Sequence, residues 1–294
     1  MDGSQIIAGE WLQVIFNPSF PYRFTHMLLA SGLTACFVVA GLSAWRLLHA
    51  GEDVSARKTL RTGLVLAAVL APLQIVVGDL HGLNTLAHQP AKIAAIEAIW
   101  KTGKGVPLVL LAVPDDERRR NDFAVEIPKG ASLILRHDAE AEVQGIDAFV
   151  PDAAPVAPVF FAFRVMVGTG VLMLLASWIG WWMYRRRGWV ASALPRPLLW
   201  SLTAMTFSGW LAMLAGWYVT EIGRQPFIVY GLLRTADVAS NVAPPMIALT
   251  LALYVIIYLT LIVAYVGVVK YMAEKPVDDG SGVPQSGSAV FGRS

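Results

Sequence analysis

The sequence predicts an all-α integral membrane protein with five transmembrane helices and a small folded outer loop between helices 2 and 3. Three observations carry that prediction. Of 294 residues, 56% are hydrophobic and only 15% are charged, against roughly 25% charged in an average soluble domain. Five stretches contain no Asp, Glu, Lys or Arg: Phe24–Trp45, Thr62–Gly78, Val165–Tyr184, Pro197–Thr220 and Val238–Val269. A span needs about 20 apolar residues because the hydrocarbon core is about 30 Å thick. These runs do not alternate polar and apolar residues, as the strands of a membrane barrel would. The formal charge of +2, from 23 Lys+Arg and 21 Asp+Glu, is too even for a nucleic-acid binder. Cys36 is the single cysteine, which excludes an internal disulfide and any cysteine-ligated zinc or iron–sulfur site.

The elements follow in order. Residues 1–23 form an N-terminal segment with neither a basic n-region nor an apolar h-region, so they do not read as a signal peptide. Helices 1 and 2 occupy 24–78. The second run is the shortest and contains Pro72, whose freed carbonyl neighbouring helices can satisfy; Arg61 can snorkel and extend it. The loop covers 79–164. Within it, Ala91–Trp100 has helical spacing, with Ile93, Ile96 and Trp100 on one face. Phe123–Leu135 reads as short strands around a Pro-Lys-Gly turn. Helices 3 to 5 occupy 165–272. The Gly/Ser-rich tail within 273–294 reads as disordered. Basic residues after the first run (Arg46, Arg57, Lys58, Arg61), the third (Arg185, Arg186, Arg187, Arg196) and the fifth (Lys270, Lys275) belong on one side. The positive-inside rule makes that side cytoplasmic. The N-terminus and the 79–164 loop are then outside and the tail is cytoplasmic. An external N-terminus without a signal implies direct N-out insertion or further helices ahead of this sequence.

An ionisable residue in or beside a span is a functional candidate. His26, Arg164, Met166, Glu221 and Arg224 all fall at outer ends of predicted spans. Imidazole and thioether together make a low-spin haem ligand pair, and an arginine can pair with a haem carboxylate. The plainer reading is an interfacial histidine bonded to a neighbour and a methionine that packs. Glu221 could ligate iron, relay protons or pair with Arg224 one short turn on. Trp217 lies one turn before Glu221 on the same helical face. Lys92 and Glu97 are either a solvated charged face or a proton-handling pair. Asp79, His81 and His88 match no standard metal spacing, and His49 and His137 read as loop residues.

Several motifs together resemble subunit I of the bacterial cytochrome bd-type quinol oxidases. They are FNPSFPYRFTHM (16–27), GDLHG (78–82), KIAAIEAIW (92–100), FRVMVG (163–168) and GWYVTEIGRQPFIVYGLLRTAD (216–237). The resemblance runs from about Phe16 to Lys270 and matches the C-terminal part of the family's subunit. It implies that His26 and Met166 are axial ligands of a low-spin haem b, with Arg164 beside it. It implies that Glu221 ligates a high-spin haem b, with Trp217 and Arg224 nearby. It makes 79–164 the periplasmic quinol-binding loop, with Lys92 and Glu97 acting in quinol oxidation.

By the same resemblance the chain is a quinol:oxygen oxidoreductase subunit of the bacterial inner membrane. Its partners would be quinol, subunit II, the lipid bilayer and, in the complete enzyme, oxygen. The high-spin haem b, and haem d where present, would be held only in that complete enzyme. Two departures stand out. The family's GRQPW reads GRQPF here, ending in Phe227. About four N-terminal family spans, which carry a further haem ligand and acidic residues of the proton path, have no counterpart, so the chain is expected not to reduce oxygen by itself. The alternatives are a haem b electron-transfer module that needs a separate N-terminal half, a truncated remnant without haem, and a small transporter.

Overall fold

The computed structural model describes residues 10–50, 53–188, 194–238 and 241–274. Five of its helical segments are long and apolar enough to cross a membrane: Phe20–His49, Val54–His88, Val156–Arg186, Arg196–Ile222 and Pro244–Met272. They contain the five charge-free runs, apart from residues 238–243 at the start of the last. The chain divides into a unit ending at Val242 and a second beginning at Ala243. The second is described as a single apolar helix, α9 (Pro244–Glu274). The tail from residue 275 and residues 1–9 lie outside the described residues.

The first unit opens with the short α1 (Trp11–Ile15) and the long α2 (Phe20–Ala50). Next comes α3 (Val54–His88), started by Asp53, whose carboxylate accepts the Ala56 N–H as an N-cap should. Pro72 is carried inside α3 without ending it. This helix has 35 residues, about 50 Å at 1.5 Å per residue, well beyond the bilayer core. Its final turns therefore leave the apolar zone and hand the chain to α4 (Pro90–Ile96). The third span is α6 (Val156–Arg186). The fourth is two helices, α7 (Arg196–Ala204) and α8 (Ser208–Ile222), interrupted at 205–207.

Helix packing closes a ring: α2 lies on α3, α3 on α6, α6 on α8, and α8 on α2, with α7 also against α2. Small residues permit the α2–α8 crossing. A Cβ on Gly209 would fall 2.3 Å from Thr34 Oγ1 and 2.6 Å from Thr34 Cα. Thr34 in turn turns its hydroxyl to Met213 Sδ, 3.3 Å away.

Between α4 and α6 the chain builds a cap. The hairpin β2 (Leu108–Asp115) and β3 (Arg120–Ile127) is antiparallel, and the two-residue strands β1 (Gly103–Lys104) and β4 (Glu142–Val143) pair beside it. Its apolar core includes Ile93, Ile96, Val109, Ala131 and Val143, and continues into Val156, Val159 and Phe160 of α6 and Val219 of α8. Asp116 accepts the N–H groups of Val156 and Ala157, so the loop supplies the cap that α6 lacks locally.

Two local expectations change here. The segment after the Pro-Lys-Gly turn is a helix, α5 (Gly130–Arg136), with Ala131, Ser132 and Leu135 buried; that i, i+1, i+4 burial is helical, not alternating. The helix expected to run to Trp100 stops at Ile96, because Ala98 adopts φ 50° and turns the chain. Trp100 consequently leaves the Ile93–Ile96 face, and its indole N–H donates to Asn121 Oδ1 at 2.8 Å.

The Gly209 contact is testable. Gly209→Ala should lower the unfolding midpoint of the detergent-solubilised chain, at a cost of about 1–3 kcal/mol. An unchanged midpoint would mean that α2 and α8 do not cross here.

Candidate functional site

The short helix α4 is buried along its whole length from Ala91 to Ile96, including the charged Lys92. Glu97, its C-cap, is only 7% exposed. A carboxylate so placed needs a partner, and Arg164, in the third turn of α6, provides it. Arg164 Nη2 donates to Glu97 Oε2 at 2.8 Å and Nη1 to the Ile96 carbonyl at 2.8 Å, and Nη2 also reaches the Val109 carbonyl. The guanidinium lies 4.1 Å from the Phe160 ring centroid. Burial pushes the Glu97 carboxyl above its usual range, and the charge and hydrogen bond of Arg164 oppose that shift. A carboxyl raised toward neutrality is suited to taking up a proton.

Lys92 points elsewhere. Its stem passes Gly223, where an added Cβ would lie 3.1 Å from Lys92 Cγ. Its ammonium ends 3.5 Å from the Thr220 carbonyl at the end of α8, long for a hydrogen bond and better described as charge against the helix dipole. Burial lowers its pKa to about 8, and the nearby cations Arg23 and Arg224 add to the effect while Glu221 resists it. Lys92 and Glu97, five positions apart in the sequence and so at an angle to one another, contact two different helices. Five residues on a helix rotate by about 140°, which separates their directions.

His26 lies on α2 with its ring 5.5 Å from that of His81 on α3. The Gln74 amide nitrogen sits 3.2 Å from His26 Nε2 and 3.3 Å from Nδ1. A Cβ on Gly78 would approach His26 Cε1 to 3.2 Å. Met166 lies on α6, and a Cβ on Gly216 of α8 would come within 2.9 Å of its sulfur. In the ring of four helices, α2 and α6 occupy opposite corners, each touching α3 and α8. Each candidate ligand is therefore accommodated by a glycine on an adjacent corner. Gln74 Oε1 is buried with no hydrogen-bond partner among the described residues. A side-chain pair on opposite corners, with an orphaned polar atom beside one member, fits a planar group carried between them.

Glu221 ends α8 and pairs with Arg224 at 2.6 Å. Arg224 Nε is a further buried polar atom without a hydrogen-bond partner among the described residues. Trp217 is 56% exposed and packs edge-on to Tyr218. The chain then forms a small hairpin from β5 (Phe227–Val229) and β6 (Leu233–Arg234). Tyr230 at its tip faces the backbone N–H of Ala91, and burial raises its phenol. Asp79 and His88 are exposed, and no group of three or more His, Cys, Asp or Glu suited to a metal occurs among the described residues. His49 packs beside Trp45 and Trp200, and His137 caps α5.

The structure thus groups Glu97 with Arg164, and Lys92 with Arg23, Glu221 and Arg224. Sequence reasoning did not single out Gln74 or Tyr230. Gln74 had a signal: it is the sole amide in its charge-free run and stands one helical turn before Gly78, so both meet the same histidine. Tyr230 had none, because its partner is a backbone group.

Residues 1–277 match the family described as cytochrome bd terminal oxidase subunit I. The chain belongs to this family. It is 27% identical to the cytochrome bd ubiquinol oxidase subunit 1 of Bacillus subtilis (strain 168), covering 84% of this chain and 55% of that one. It is 26% identical to the cytochrome bd-II ubiquinol oxidase subunit 1 of Escherichia coli (strain K12), covering 97% and 67%. The solved structure of bd oxidase from Geobacillus thermodenitrificans superposes with a TM-score of 0.80 at 27% identity, over 92% of this chain and 62% of that one. The chain therefore spans 55–67% of the length of these relatives. As a cytochrome bd subunit I chain with five helices among the described residues long and apolar enough to cross a membrane, it is an integral membrane protein.

Two consequences of the electrostatics can be measured on the solubilised chain. Arg164→Met leaves Glu97 buried without its cation and should cost about 3–5 kcal/mol; a loss under about 1 kcal/mol would show the pair to be solvated. For Lys92, the folded amine deprotonates near pH 8 and the unfolded one near 10.5, so the unfolded chain binds more protons in that window. Stability relative to Lys92→Met should then rise as pH goes from about 8 to about 10.5. A pH-independent gap would mean an ordinary amine.

Proposed function

We propose that this chain is a haem-carrying part of a quinol oxidase, in which quinol is oxidised at the 79–164 loop on the outer, periplasmic face of the bacterial inner membrane. The observation that carries the reading is the arrangement at the loop end of the helix ring. There an arginine two residues before Met166 on α6 holds a buried carboxyl of the loop, with His26 on the opposite corner. His26 and Met166 would hold a low-spin haem b, and Glu221, with Trp217 and Arg224 near it, would serve a high-spin haem b. Such haems, and haem d where present, supply one-electron transfer and oxygen reduction in the complete oxidase with subunit II.

The chain's own residues perform the proton chemistry. A quinol loses two protons as it loses two electrons. Glu97, raised by burial, takes a proton from the quinol hydroxyl at the base of the cap. Arg164 holds that carboxyl in place and stabilises it while it is ionised. The buried Lys92, on the same helix, supplies the second positive charge of the loop. Proton release is then outward, through the polar surface of the cap.

The test is a reduced-minus-oxidised optical spectrum of the chain in membranes, beside His26→Ala and Met166→Ala. A sharp low-spin haem b signal, lost in both variants, is expected. With that signal present, Glu97→Gln should slow reduction by added quinol about 100-fold. Well-folded wild-type chain without any haem signal would overturn the reading for the isolated chain.

A further inference from the structure

We propose that Lys92 is a positioning residue for the Glu221 turn, fastening the quinol-loop helix α4 to the end of α8 instead of contacting quinol. The functional half of this inference rests on the role proposed above for Glu221; the structural half does not.

Helix α8 ends at Ile222 and leaves its last carbonyls without intrahelical partners. Val219 O is taken by the Gly223 N–H and Ile222 O by the Gln225 N–H. Thr220 O, between them, faces the Lys92 ammonium at 3.5 Å. A cation there opposes the negative end of the helix dipole. The stem is guided to that point: Gly223 leaves it room, since a Cβ would stand 3.1 Å from Cγ and 3.4 Å from Cδ. At 6% exposure the amine has little water to turn to.

A second fastening lies one residue away. The Ala91 backbone N–H faces the Tyr230 phenol, beyond the turn. The first turn of α4 therefore grips the segment from Thr220 to Tyr230 at both ends, and Glu221 and Arg224 lie between the grips. The last turn of α4 is fastened separately, through Glu97 and Ile96, to Arg164 of α6. One seven-residue helix thus joins the helix that carries Met166 to the helix that carries Glu221. Lys92 is the charged member of the second joint, and its effect on the reaction passes through the orientation of the Glu221 carboxylate.

The experiment is hydrogen–deuterium exchange on the full chain in membranes, comparing wild type, Lys92→Met, Lys92→Arg and Glu97→Gln. Lys92→Met should speed exchange of the 219–225 amides about tenfold. Lys92→Arg should restore it to within about threefold, and Glu97→Gln should leave that segment unchanged. In the assembled oxidase, Lys92→Met should lower kcat with the quinol KM within about twofold of wild type, and alter the high-spin haem absorption more than the low-spin one. Unchanged 219–225 exchange in Lys92→Met, or a loss of protection spread evenly over the cap, overturns the proposal. So does a raised KM with 219–225 still protected, which would return Lys92 to the quinol. Absence of haem from the wild-type chain sinks the functional reading above, while localised exchange in Lys92→Met still upholds the fastening of the turn.

Discussion

The ion pair between Glu97 and Arg164 holds the loop to the membrane helices. Neither partner is replaceable by a surface charge, because both lie inside packed apolar residues. Removing two charges from water is expensive, and the cost is offset only when every donor and acceptor is met. Arg164 meets that condition by serving three acceptors: the Glu97 carboxylate, the Ile96 carbonyl and the Val109 carbonyl. One guanidinium thereby brings together the end of α4, the start of β2 and the third turn of α6. The cap core could not continue into Val159 and Phe160 if this junction were displaced.

From that junction the remaining geometry follows in sequence. The overlong α3 carries the chain clear of the apolar zone, so α4 can lie across the ends of α6 and α8. Being short and buried on all sides, α4 has its directions fixed by its neighbours, not by solvent. Its two charged residues are turned toward different helices. The consequence is a loop coupled to both polar clusters at this end of the ring, the one around Arg164 and the one around Glu221.

The spans were legible because their physics is one-dimensional. A bilayer demands an unbroken apolar length, and length can be read along a chain. The interruption of the fourth span at 205–207 was not legible: no charge or proline lies there, and Thr206 and Ser208 satisfy their hydroxyls on local carbonyls. In the cap, local patterns misled. FAVEIPKGASLIL suggests short strands on both sides of its turn, yet the second half is a helix, because the left-handed Lys129 redirects the chain and packing against Leu108 and Val106 selects the buried face. The helix beginning at Pro90 was legible to Ile96, and its end was not, since a left-handed alanine has no sequence signature.

Residue types told as much about the site as composition can. Burial class, five apolar segments, the lack of any thiolate site and the set of polar residues at one end of the spans are all properties of the linear order. Partnership is different. That Glu97 meets Arg164, that Lys92 meets Thr220, that Gln74 stands at His26 and that Tyr230 faces the Ala91 N–H depend on how four helices close into a ring and where a cap sits on them. Those contacts join residues up to 139 positions apart, and several end on backbone atoms that every residue possesses. A sequence specifies which groups must be buried, and the packed fold chooses the partners that make their burial tolerable.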